Sequence, residues 1–206
     1  HNLTGESNGG GEKASGQSHT PMFRVGNEFE IDGARFTILN AARYDKDKYP
    51  EFEFDSYNGR NNNSLSFRME YNGFVYAHGG DTYQHGQNAI LKHFGADTVK
   101  ADVYHGNHHF HGGLSTEYLK KVDPYLFLTS AQEATYNREA YVEGVMGNVV
   151  PYLEDNSNRF IENLFSFEVG HITIKANSSE DWIYKTDYIN QAKTTKPKPS
   201  GFQEPE

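Results

Sequence analysis

Residues 105–113 read HGNHHFHGG, which sets histidines at 105, 108, 109 and 111 among three glycines. Imidazole nitrogens ligate borderline metals and exchange protons near neutral pH, so the run points to a metal site or to acid–base chemistry. Two other segments carry groups that belong with it. Asp81 closes the stretch HGGD, where Gly79 and Gly80 let the chain turn and leave a carboxylate at a strand tip. Ser130 closes YLFLTS. Each segment follows a predicted strand, the place where ligands of open α/β sheets gather. One Asp with several His suits zinc, and also manganese or iron. The same residues have ordinary readings. An Asp beside glycines serves as a turn or helix cap, and an isolated His as a surface or core residue. His78, His85 and His93, which flank the next helix, are read that way, and the three asparagines at 61–63 as a turn.

The elements that must position these groups follow from hydropathy periods and turn residues. FRVGNEFEIDGARFTILNAARY alternates apolar and polar residues on both sides of Asp32-Gly33, a hairpin signature. A polar loop follows, with a short extended stretch around Phe52 and Phe54. NSLSFRMEYNGFVYAHGGD is a second hairpin: Leu65, Phe67 and Met69 alternate before Asn72-Gly73, and Phe74 and Tyr76 follow it. DTYQHGQNAILKHFG predicts a helix with Ile90, Leu91 and Phe94 on its apolar face and Gly95 as its stop. ADVYHG predicts a strand, and STEYLKKVDP a helix capped by Ser115 and ended before Pro124. YLFLTS predicts a further strand. Residues 131–164 are expected to hold a helical stretch, and LFSFEVGHITIKA to form a hairpin across Gly170. Strands and helices alternate in the middle, so the fold class is α/β, a sheet layered with helices.

The 206 residues suffice for one sizeable core with tails. Residues 1–21, rich in Gly, Ser and Asn, are expected to form a flexible arm, and 191–206, rich in Pro and Lys, a flexible tail, leaving 22–190 as the domain. Acidic residues outnumber basic ones 28 to 19, a net charge of −9 that argues against charge-driven nucleic-acid binding. It leaves room for a phosphorylated substrate held by metal ions. Without cysteine there is no disulfide and no thiol nucleophile, and the compartment, cytoplasmic or secreted, stays open. No apolar run is long enough to span a bilayer. The 14 Tyr and 14 Phe suggest a carbohydrate groove, but alternation assigns most of them to a sheet core.

Order along the chain adds a resemblance. NNNSLSFRMEYNGFVYAHGGD, a helix, ADVYHGNHH and then STEYLKKVDPYLFLTS resemble the C-terminal half of metallo-β-lactamase-fold hydrolases. The likeness is greatest to the hydrolase domain of DNA-internalisation competence proteins, which carry NNxSLVLRLEYGGFSFLLTGD and ADVLKVxHHGS. The matching stretches are Asn62 to Asp81, Ala101 to His109 and Tyr118 to Ser130. The resemblance implies a layered αββα fold, of which this chain carries the C-terminal half. It also implies a divalent metal, zinc or manganese, that activates water against a phosphoester or related substrate. By that likeness Asp81 is the carboxylate that bridges two metals, and His109, or its neighbour His108, a metal ligand. Ser130 and His111 fall on the substrate side.

The departures from the family pattern are specific. Phe-His-Gly-Gly follows His109 where the family has Gly-Ser, and Gly79 stands where Thr is usual. The motif HxHxDH, which supplies most ligands in the family, does not occur in residues 1–60. The expectation is therefore half of a metal site, completed by a missing N-terminal half or a second copy. The alternative is a non-catalytic binding or scaffold domain of the same fold.

Overall fold

The computed structural model describes residues 23–54, 59–110, 114–130, 152, 155, 157–159, 162–187 and 202–203. The chain opens with the two predicted hairpins. Strands β1 (Glu28–Ile31) and β2 (Ala34–Asn40) turn through Asp32 and Gly33, and β3 (Ser66–Tyr71) and β4 (Phe74–His78) through Asn72 and Gly73. All four turn residues have φ between 48° and 84°. That is the two-residue turn whose twist matches the flanking strands, and Asp-Gly and Asn-Gly reach it at least cost. The expected extended stretch near Phe52 is instead a 3-10 turn, Pro50–Phe52, because Pro50 presets its first residue and Phe52 is drawn fully into the core.

Helix α1 is a single turn, Gly59–Asn62, and α2 spans Gln84–Val99. Gly95 interrupts α2 with φ 77° and ψ 170°, but the chain resumes helix as far as Val99, whose side chain is buried. The N-terminus of α2 has no side-chain cap of its own. Asn62 Oδ1 supplies one from α1, accepting from Tyr83 N at 2.9 Å and Gly86 N at 3.3 Å. Strand β5 (Val103–His105), helix α3 (Thr116–Val122) and strand β6 (Leu126–Thr129) follow. Ser115 caps α3 as its sequence predicts, its Oγ accepting from Tyr118 N at 3.1 Å.

Among the described residues one sheet runs β1 to β7 in sequence order, where β7 is Glu162–Phe165. β1 to β4 pair antiparallel and β4 to β7 parallel. Parallel neighbours need crossovers, and α2 and α3 provide the first two on one face. The period of two then sorts the side chains. Ala77, Tyr104 and Phe127 join Ala89, Ile90, Leu119 and Val122 beneath the helices. Phe74, Val103, Leu126, Leu128 and Leu164 face the other way, onto Trp182 and Tyr184. Those two belong to a smaller sheet of β8 (Ile172–Ala176), β9 (Trp182–Thr186) and β10 (Phe202–Gln203). The layers are helix, sheet, sheet. The fold is mixed α/β.

The hairpin expected across Gly170 is not formed. β7 joins the large sheet, one helical turn α4 (Ser166–Val169) intervenes, and β8 enters the small sheet. Val169 is fully buried between the sheets, and Gly170, at φ 74°, closes the turn with its N–H on Ser166 O. Within the expected tail, Phe202–Gln203 pair in parallel with Trp182–Ile183, and its other residues lie outside the described residues. The arm 1–21 and most of the helical stretch expected at 131–164 lie outside the described residues. No helix among the described residues is long and apolar enough to cross a membrane.

Candidate functional site

The carboxyl ends of β4, β5 and β6 meet at one place. His78 and His105 are the last residues of β4 and β5 and stand in register, and His105 is in register with Leu128 of β6. Both histidines share the parity of Val103 and Leu126, so they project from the face opposite α2 and α3. Ser130, two positions past Leu128, returns to that parity. The two imidazoles lie nearly parallel, with centroids 4.6 Å apart and planes 7° apart. His105 Nδ1 is 2.8 Å from His78 Nδ1, and His105 Nε2 is 2.8 Å from Ser130 Oγ. Phe67, the register partner of His78 on β3, stacks on its other side at 5.3 Å.

Burial first, and then the neighbouring His78 and His109, push His105 down to about 4, with Asp81 opposing them. Burial likewise lowers His78, again against Asp81. Both rings are therefore neutral at pH 7, and one proton lies between the two Nδ1 atoms. When His105 carries it, His105 Nε2 is the acceptor facing the Ser130 hydroxyl.

The loops around this pair are held close by residues that a Cβ would displace. A Cβ on Gly79 would stand 2.6 Å from the Asn107 side chain, and Asn107 Nδ2 donates to Gly79 O at 2.8 Å. Gly80, at φ 57°, would bring one within 2.7 Å of Leu65 O. Behind them Ser66 Oγ donates to Gly79 O at 2.7 Å, and Asn40 Nδ2 reaches Ser64 O at 2.9 Å and Thr82 Oγ1 at 3.1 Å. Asn40, Ser66 and Asn107 thus tie the Asp81 loop to the sheet, and of the run 61–63 that the sequence reads as a turn, Asn62 caps α2.

Asp81 donates its backbone N–H to Ser64 Oγ at 2.8 Å, and its carboxylate has no hydrogen-bond partner among the described residues. It does not cap α2; Asn62 does. His108 and His109 have φ of 43° and 57°, consecutive left-handed residues that cost roughly 1–2 kcal/mol each without glycine. Contacts hold them there. His108 N donates to Gly80 O at 2.9 Å, and its ring packs edge-on against Tyr83 at 4.7 Å. His109 Nδ1 meets the carbonyl of Ser130. The histidine pair is thereby split: His108 turns toward Tyr83 and Asn61, and His109 toward Ser130.

Of the residues singled out from sequence, Ser130 meets His105 Nε2, His109 meets the Ser130 carbonyl, Asp81 stands on the loop that follows β4, and His111 lies outside the described residues. Their donor types suit zinc. Their number does not complete a zinc site, because no three His, Asp or Glu side chains among the described residues form a group that could hold a metal. Sequence reasoning passed over His78 and undervalued His105. The available signal was that both end apolar strands of one parallel sheet, which sets equal strand positions side by side.

Beside the site the large sheet presents an apolar face. Phe29, Phe36, Ile38, Leu65 and Phe67 line a cavity of about 210 Å³, and Met69, Tyr76 and Ile174 border another of about 290 Å³ between the sheets. Comparisons with protein-family models, with curated proteins and with solved structures gave no match.

Proposed function

We propose that this domain is part of a metal-dependent hydrolase of the metallo-β-lactamase type, acting with zinc or manganese on a phosphoester or related substrate. Asp81 and His109 are the ligands it contributes, and the remaining ligands come from another polypeptide or a second copy. One observation carries the reading: His108 N donates to Gly80 O and His109 Nδ1 meets the Ser130 carbonyl, so the loops that carry Asp81, His109 and Ser130 converge at the carboxyl ends of the parallel strands β4 to β6. The order of motifs along the chain and the helix–sheet–sheet layering support it. The aromatic face over β1 to β3 supports a covering partner.

Calorimetric titration of zinc and manganese into the full chain tests this reading. Micromolar or tighter binding that Asp81→Ala abolishes is the expected result, and a folded chain that takes up neither metal removes it. The second reading, a non-catalytic binding domain of the same architecture, is favoured by the shortage of ligands among the described residues. It prevails if no metal binds and no ester or phosphoester is turned over.

A further inference from the structure

We propose that Ser130, His105 and His78 form a metal-independent acyl-transfer centre for neutral carboxylic esters, with Ser130 as nucleophile, His105 as general base and His78 as the residue that orients His105. This goes beyond the metal-dependent reading and needs no metal. Three successive parallel strands deliver the three side chains to one face, His78 and His105 in register with each other and Ser130 one residue past the end of β6. The spacings, 2.8 Å from hydroxyl to imidazole and 2.8 Å from imidazole to imidazole, are those of a nucleophile, its base and an orienting third group. Exposure is divided as that chemistry requires. Ser130 is exposed, while His105 is only partly so and is sheltered by the ring of His78. Phe67 packs on the far side of His78 and fixes that ring, and His109 on the Ser130 carbonyl fixes the backbone that carries the nucleophile. The apolar aromatic wall that reaches His78 through Phe67 suits a neutral substrate.

In the reaction, Ser130 Oγ forms a bond to the ester carbonyl carbon as its proton passes to His105 Nε2, while His105 Nδ1–H donates to His78 Nδ1. The tetrahedral intermediate expels the alkoxide, which takes the proton from Nε2 and leaves as the alcohol. Water then attacks the acyl-Ser130 carbonyl and gives a proton to Nε2. Collapse releases the carboxylic acid and returns the proton to Ser130. One ester and one water become one acid and one alcohol.

The test uses the full chain in excess EDTA. A fluorophosphonate probe, whose phosphorus bonds to an activated serine oxygen with loss of fluoride, is followed by peptide mass mapping. An adduct on Ser130 is expected; folded wild-type protein without that adduct overturns the proposal, whatever any variant does. His105→Gln is expected to slow labelling at least 100-fold, and an unchanged rate removes His105 as base. His78→Asn keeps an acceptor and is expected to label at least 10-fold faster than His78→Leu at equal thermal stability; equal rates overturn the orienting role. Ester turnover that needs zinc, with no adduct on Ser130, overturns this centre and leaves the metal-dependent reading standing.

Discussion

His78 and His105 face each other in register from adjacent parallel strands, Nδ1 to Nδ1 at 2.8 Å, with the two rings 7° from parallel. Two imidazoles so close cannot both be charged cheaply, and burial already disfavours the first proton. Stability therefore depends on pH. His105 binds its proton near 6.5 in an exposed state and near 4 in the fold. Between these values the unfolded chain holds more protons, so stability is fully present above pH 6.5 and is lost as pH falls toward 4. His78, also lowered, acts in the same direction. Chemical denaturation at pH 7.5 and pH 5 is expected to show a loss of about 2 kcal/mol from His105, which shrinks in His105→Gln. Most carboxylates titrate below this window, so a flat profile between these pH values contradicts the sheltered pair.

The Gly80 position is set by collision as well as by dihedral angle. Gly33 and Gly80 are both left-handed, but a Cβ on Gly33 meets only Tyr71 at 3.6 Å, whereas on Gly80 it meets Leu65 O at 2.7 Å. Gly80→Ala is expected to cost at least about 1 kcal/mol more than Gly33→Ala in urea unfolding. Equal costs would mean that the Asp81 loop does not press on the Leu65 backbone just ahead of β3.

Ser115 holds the first turn of α3, and its own N–H is taken by Gln87 Oε1 at 3.0 Å. Ser115→Ala removes the cap acceptor and keeps that second bond. Urea unfolding is expected to show a loss of about 1 kcal/mol. A change below a few tenths would remove the cap from the account.

Most of the local geometry was legible in the sequence. Asp32-Gly33 and Asn72-Gly73 fixed both hairpins because the turn they favour is the one that strand twist selects, and Ser115 marked its helix start by its capping oxygen. The failures share a cause, which is that the deciding contact is distant in sequence. LFSFEVGHITIKA alternates as a hairpin would, but burial of Val169 between two sheets and the helical turn before Gly170 divide it. Gly95 does end one helical segment at φ 77° and ψ 170°, and what its sequence does not show is the second segment that runs on to the buried Val99. Motif order singles out Asp81 and His109 by residue type alone. His78 and His105 were not paired, because their contact exists only once β4 and β5 are known to be parallel neighbours.

Trp182, the one tryptophan of the chain, joins the two sheets by packing on Phe74 at 5.6 Å and Tyr125 at 6.4 Å. Trp182→Ala is expected to cost about 3–5 kcal/mol, read by circular dichroism in urea. A cost under about 1 kcal/mol would show that the small sheet does not depend on this contact.

The gathering of Asp81 and His109 around one imidazole is tested most directly by the pKa of His105, followed by side-chain NMR in single variants. In the wild type His105 titrates near 4, held down by burial, by His78 and by His109, and raised by Asp81. Asp81→Asn removes the favourable charge and is predicted to lower that value further, while His109→Gln removes an unfavourable one and is predicted to raise it. Shifts in these opposite directions place both side chains at the same ring; a His105 that titrates near 6.5, or that neither substitution moves, contradicts the site.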